Sequence, residues 1–254
     1  MAVIGILSLI FAKSSIDAAK FLILDGLHMK SIDYLFRVIR KEGLIHGMFS
    51  IAKRVRLKLK SIFFSYIFGA PKISFGSGCQ FFGVKHISFG SEISIHRNIW
   101  LEAVTEYRGE AYAPCIIIGN RVKMSNNVHV TSINNITICD DVLLGSNVYI
   151  SDHNHGGYSG TIQSHPSERP AERALVSGGP VFIEQNVWVG DNVNIVGPVR
   201  IGAGAVIAAN SVIRKDVPPG VIVGGIPAKI IKIFDSNLKE WTSLKPNNEP
   251  VKRI

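Results

Sequence analysis

Residues 183–217 read IEQNVW VGDNVN IVGPVR IGAGAV IAANSV IRKDV, and their spacing decides the fold. Ile183, Val189, Ile195, Ile201, Ile207 and Ile213 recur every six residues. Four residues after each stand Val187, Val193, Val199, Ala205, Ser211 and Val217, all apolar or small. A helix repeats its apolar face about every 3.6 residues and a half-buried strand about every two, so neither carries this pattern. A period of six suits a triangular solenoid, in which each hexad supplies one short flat strand and a corner and three hexads close a coil.

The series extends upstream as Phe89, Ile95, Leu101, then Ile118, Met124, Val130, then Ile138, Leu144, Ile150, with a weaker start at Phe75 and Phe81. Gly follows the large apolar residue at Gly76, Gly90, Gly119, Gly145, Gly190 and Gly202. Asn stands three after it at Asn98, Asn127, Asn147, Asn186, Asn192 and Asn210. Both residue types tolerate turns and left-handed backbone, as corners require. About 18 residues per coil gives about six coils, and ~4.8 Å per layer gives a prism on the order of 29 Å tall.

Composition bounds the alternatives. The chain has 254 residues, 46% hydrophobic and 19% charged, which suits one sizeable core and excludes a disordered or collagen-like chain. Cys79, Cys115 and Cys139 form no CxxC pair, so neither a disulfide framework nor a cysteine-rich zinc module is indicated, and a reducing compartment is expected. Of the net charge of +9, residues 30–60 carry +7: nine basic side chains, from Lys30 to Lys60, against Asp33 and Glu42. Ala2 to Ala12 is apolar apart from Ser8, but eleven residues fall short of the ~20 of a spanning helix, and no basic residue precedes them. Met29 is read as an alternative start.

Two interruptions break the count, residues 102–116 and 151–182. The second holds Ser151-Asp152-His153-Asn154-His155-Gly156-Gly157, then His165, Glu168, Arg169, Glu172 and Arg173. Titratable groups thus gather where the chain builds no wall, as a reaction site would have them. His129, His86 and His96 adjoin repeat positions and are read as outward wall residues.

The hexads, the Ser-Asp-His-Asn-His-Gly string and the closing run Val223-Gly224-Gly225-Ile226-Pro227-Ala228-Lys229 resemble the hexapeptide-repeat acyltransferases. The likeness is greatest to bacterial O-antigen and capsule O-acetyltransferases and to the galactoside and maltose O-acetyltransferases. The resemblance implies a mainly β chain with a left-handed parallel β-helix of about six coils over 73–231. A helical, basic amphipathic region at 1–72 precedes it and a short C-terminal helix or tail at 232–254 follows. It implies transfer of an acetyl group from acetyl-CoA to a sugar hydroxyl of a surface-polysaccharide precursor, with His153 as general base and Asp152 or His155 in support. Trp188, Asp191, Ala209, Arg214, Lys215 and Lys229 are its candidates for the coenzyme, and Ser125, Asn126 and Asn127 for the acceptor, although Asn127 also reads as a corner. Asp191 is acidic where related enzymes often carry Ser.

The resemblance further implies a homotrimer with its sites between chains, an acceptor that is a sugar or lipid-linked oligosaccharide, a cytoplasmic protein and no bound metal. Residues 30–64 alternate apolar and cationic side chains, which suits the surface of an anionic membrane as well as a cap on the open end of the prism. No recognition motif for nucleic acid accompanies the charge. Three other readings stay open: N-acetylation of an amino sugar, a catalytically silent scaffold, and a zinc hydratase resembling the γ-class carbonic anhydrases, with His129, His153 and His155 as ligands.

Overall fold

The computed structural model describes residues 40–41, 43–161 and 163–243; residues 1–39, which hold the apolar start, Met29 and the beginning of the basic segment, lie outside them. The chain divides into two units at Arg56 and Leu57, within the helix Leu44–Ile67. No helix among the described residues is long and apolar enough to cross a membrane.

From Leu57 onward the hexads become three parallel walls. The first wall stacks Ser74–Phe75, Ser94–Ile95, Lys123–Met124, Leu143–Leu144, Trp188–Val189, Val206–Ile207 and Val221–Gly225. The second stacks Gln80–Phe82, Trp100–Ala103, His129–Ser132, Tyr149–Ser151, Asn194–Val196 and Val212–Ile213. The third stacks Ile87–Phe89, Cys115–Ile118, Asn135–Ile138, Val181–Ile183 and Val199–Ile201, and a parallel bridge from Ile201 to Val217 closes the sixth coil. This is the left-handed parallel β-helix that the resemblance implies, with the six coils that the repeat counts.

Both residues of each hexad point inward. Ile183, Val189, Ile195, Ile201, Ile207 and Ile213 are buried, and so are Val187, Val193, Val199, Ala205, Ser211 and Val217. Stacked aliphatic layers therefore remove their apolar area from water on every coil, at roughly 25 cal/mol per Å². At the first coil Phe64 and Phe68, from the end of the helix, pack with Phe75, Phe81 and Phe89, with ring centroids 4.8–6.4 Å apart, and close the prism.

The corners divide the work between Asn and Gly. Asn98, Asn127, Asn147, Asn192 and Asn210 all have φ of 57–60°. Their amides form a ladder up one edge, each Nδ2 donating to the next Oδ1 at 2.9–3.2 Å. The six glycines expected to supply turn conformations do something else, because none has a positive φ. A Cβ at Gly190 would sit 2.7 Å from Ala209 N, and one at Gly145 2.7 Å from Gly190 C. Close approach of the next coil, not backbone freedom, requires glycine there.

Where a short C-terminal helix or tail is expected, the described residues up to 243 form strands. Val221–Gly225, Ala228–Asp235 and Glu240–Ser243 form an antiparallel meander on the first wall. Ala228–Asp235 alternates imperfectly between half-buried and exposed positions and pairs along the edge of Val221–Gly225, whose backbone groups would otherwise lack partners.

Candidate active site

The two interruptions meet over the second wall. After Tyr149–Ser151 the chain bends at Asp152, and His153–His155 pairs antiparallel with Leu175–Ser177, His153 opposite Ser177 and His155 opposite Leu175. The first interruption forms a small hairpin, Glu106–Tyr107 with Glu110–Ala111. The Tyr107 hydroxyl donates to Ala171 O at 2.8 Å, the Tyr112 hydroxyl accepts from Leu175 N at 3.1 Å, and the Tyr107 and His155 rings meet edge-on at 5.3 Å. Arg173 organises the rest of the long loop, donating to the Tyr158 hydroxyl at 2.7 Å and to Glu168 O at 2.8 Å. Beneath lies a cavity of about 400 Å³ lined by residues of both insertions and of the wall, among them Glu102, Tyr107, His129, Tyr149, His153 and His155.

His153 sits on this cavity, 9% exposed, with Nδ1 2.9 Å from Asp152 Oδ1. Asp152 is fully buried. Its Oδ2 also accepts from Ser132 Oγ at 2.6 Å and Asn134 N at 2.9 Å, and its Oδ1 from Ile133 N at 3.0 Å. These three donors belong to the corner one coil earlier, so the regular stacking of the solenoid brings them beneath residue 152. Burial by itself pushes the Asp152 carboxyl up; the hydrogen bonds from His153, Ser132, Ile133 and Asn134 outweigh it and hold the group below the ordinary aspartate range. An ionised carboxylate can only accept, so His153 Nδ1 carries the proton and Nε2 of the neutral ring keeps its lone pair. Ser151 Oγ donates to His153 O at 2.9 Å and accepts from His153 N at 3.2 Å, fixing the backbone of His153.

His129 stands one coil before Tyr149 in the wall, with Trp100 on its other side. Burial lowers its pKa below the ordinary histidine value; the Glu102 carboxylate opposes this and His153 reinforces it. Its Nε2 is buried without a hydrogen-bond partner among the described residues.

The structure brings Asp152, His153 and His155 together. It sets the other expected residues elsewhere. Trp188 is 53% exposed on the first wall, between Leu143 and Val206. Asp191 is a corner residue whose Oδ1 accepts from Ser146 N at 2.6 Å, and Ala209 lies against Gly190. Arg214 and Lys215 follow Val212–Ile213, and Lys229 pairs with Gly224 in the meander. Ser125, Asn126 and Asn127 occupy the corner between the first and second walls, where Asn127 belongs to the amide ladder and Asn126 Oδ1 accepts from Arg97 N at 3.3 Å. None of these nine lines the cavity of His153. The sequence does not single out Glu102, Tyr107 or Tyr149, and it offers His129 as an outward wall residue or, in the zinc alternative, as a ligand. The one available signal is that the repeat breaks twice on the same wall, two coils apart.

Among the described residues no three His, Cys, Asp or Glu side chains converge as a metal-holding group, so the three-imidazole zinc reading lacks a geometric basis.

A family profile for the bacterial transferase hexapeptide (six repeats) matches residues 180–215. The chain is 36% identical over 126 residues to WbbJ of Escherichia coli K12, named as a lipopolysaccharide biosynthesis O-acetyl transferase, covering 50% of this chain and 64% of that protein. It is 29% identical over 149 residues to the galactoside O-acetyltransferase of the same strain, covering 58% of this chain and 67% of that one. The chain thus spans just under two thirds of the length of WbbJ. In fold it is similar to a mutant of AntD, an N-acyltransferase from Bacillus cereus solved with dTDP and coenzyme A, with a TM-score of 0.52 at 17% identity over 66% of this chain and 85% of that one. The coils, the repeat and these relatives agree: in sequence pattern and in fold the chain is similar to the hexapeptide-repeat transferases.

Proposed function

We propose that the chain is an acetyl-CoA-dependent O-acetyltransferase that modifies a sugar hydroxyl of a surface-polysaccharide precursor. The observation that carries this reading is the buried Asp152 carboxylate, saturated with hydrogen bonds and holding His153 Nδ1–H, so that Nε2 is left for a substrate in the cavity. His153 Nε2 takes the proton of the sugar hydroxyl as its oxygen bonds to the thioester carbonyl carbon. The carbon–sulfur bond then breaks, and the imidazolium returns the proton to the coenzyme thiolate. Such a base contributes about 10² to 10⁴ in rate. The first-wall and C-terminal residues Trp188, Ala209, Arg214, Lys215 and Lys229 are the assigned coenzyme surface, cations meeting phosphates and small residues the pantetheine arm. Asp191 is a weaker member, its carboxylate being already engaged by Ser146 N. Ser125 and Asn126 remain assigned to the acceptor.

Relatives named as O-acetyltransferases support transfer to oxygen. The test is His153→Asn with acetyl-CoA and a panel of sugars and amino sugars, scored for hydroxylamine-labile esters against stable amides. Ester formation that collapses in the variant supports the reading; amide as the sole product, or full activity in the variant, overturns it.

The assembly is read as a homotrimer with each cavity completed by a neighbour, and a fully active monomer would contradict this. The helix Leu44–Ile67 exposes Ile45, Phe49, Val55 and Leu59 beside Lys53, Arg56 and Lys58, which supports contact with an anionic membrane at the cytoplasmic face, where a lipid-linked acceptor would reside. Co-sedimentation with phosphatidylglycerol vesicles, compared with phosphatidylcholine, tests that contact.

A further inference from the structure

The outward side chains of the second wall form two neighbouring columns. In register, Trp100, His129 and Tyr149 stack in one, and Glu102, Thr131 and Ser151 in the other. Ring centroids are 5.0 Å apart from Phe82 to Trp100, 5.5 Å from Trp100 to His129 and 5.3 Å from His129 to Tyr149. Phe82 belongs in register to the Glu102 column, with its ring against Trp100, so four successive coils present a strip of rings that steps across from one column to the other. Packing of the prism does not demand it, because the interior of the three later coils is aliphatic, and the first wall carries Ser94, Lys123 and Leu143 at the equivalent positions.

Only the His129–Tyr149 end of the strip lies in the cavity with His153; Trp100 and Phe82 continue beyond it, and Phe82 is 42% exposed. Trp100 Nε1 donates to Glu102 Oε2 at 2.9 Å, which fixes the tilt of the indole. Aromatic faces carry negative charge density and attract the weakly positive C–H face of a pyranose, while Glu102 and Thr131 beside them offer polar atoms to the hydroxyls on its edge. Among the described residues the cavity lining contains Glu102 and Glu106 and no Lys or Arg, so a carboxylated sugar would meet like charge there.

We propose that Phe82, Trp100, His129 and Tyr149 form an acceptor subsite for an uncharged oligosaccharide, whose reacting ring lies at His153 while its further rings lie on Trp100 and Phe82. The identity of the reacting ring rests on the acetyl-transfer reading; the binding strip stands on its own geometry.

The test measures acetyl transfer by the full chain to a neutral hexose, to a neutral tetrasaccharide built from it, and to a tetrasaccharide containing uronic acid. Calorimetric titration of the same glycans without acetyl-CoA accompanies it. The neutral tetrasaccharide is expected to exceed the hexose in kcat/KM by about tenfold, through KM, and to exceed the acidic one. Trp100→Ala and Phe82→Ala should each shrink that tetrasaccharide-to-hexose ratio several-fold, as loss of one ring contact does, and Trp100→Phe should restore most of it. Equal use of hexose and tetrasaccharide, preference for the acidic glycan, or a ratio unmoved by both alanine variants overturns the proposal. Tetrasaccharide binding that depends on Trp100, with no acetyl transferred to any glycan, upholds the subsite and sinks the transfer reading instead.

Discussion

Asp152 Oδ1 and His153 Nδ1 are 2.9 Å apart, although the two residues are neighbours in sequence and one side chain is wholly buried while the other opens on a cavity. Adjacent residues in a strand point to opposite faces. Here Asp152 stands at the bend between the wall strand Tyr149–Ser151 and the ribbon His153–His155, so the strict alternation is broken and both side chains meet.

Asp152→Asn keeps the size of the side chain but removes its charge and sets an amide N–H against donors from Ser132, Ile133 and Asn134. The proton on His153 Nδ1 is then no longer enforced. The expected result is a fall of about 10² to 10⁴ in kcat with little change in KM for the acetyl donor. Coenzyme A release assays on the variant, with a thermal melt to register the accompanying loss of stability, check this.

The same carboxylate gives the fold an acid limit. Its folded pKa lies below the unfolded value of ~3.9, so its stabilisation is complete above about pH 4 and disappears as pH falls through the depressed folded value. Urea denaturation between pH 7 and pH 3 should show the natural chain losing stability more steeply below about pH 4 than Asp152→Asn. Parallel curves would assign the acid limit to other groups.

His129 behaves in the opposite range. Burial holds its folded pKa below the unfolded ~6.5, so the unfolded chain takes up this proton first and stability declines as pH drops from about 6.5 toward the folded value. His129→Phe keeps a ring between Trp100 and Tyr149 and should flatten that decline. Unfolding free energies at steps between pH 7.5 and 5, with NMR titration of the imidazole, measure it.

The corner residues should separate by mechanism. At Asn147, φ is 58° and the amide bridges Asn127 and Asn192; alanine loses both bonds and strains the left-handed backbone, costing about 2–3 kcal/mol, whereas glycine spares the backbone and costs about 1 kcal/mol less. At Gly145, alanine drives a Cβ against the backbone of Gly190 and Asp191 at 2.7–2.8 Å, and the expected loss is about 3 kcal/mol. Urea midpoints of the three variants test the ranking.

The legibility of this chain followed the range of its interactions. The hexads gave the walls and the inward layers because each coil repeats the same local pattern, and Ile183 to Val217 could be assigned from spacing alone. The corner glycines were identified in position but not in purpose, since Gly190 answers to Ala209 on the next coil rather than to its own dihedral angles. The meander at Ala228–Asp235 escaped because its partner, Val221–Gly225, is an open edge only once the prism ends there.

By itself the sequence determined the solenoid, its six coils and the two insertions, readable because period and interruption are properties of a linear string; His153 stood out among the loop residues only through the family resemblance. Only the tertiary structure decided that the insertions converge, that Ser132, Ile133 and Asn134 charge-stabilise Asp152, and that Phe82, Trp100, His129 and Tyr149 share one face. Those pairings join residues about 20 to 60 positions apart, brought together by coil-on-coil register, which no local spacing records.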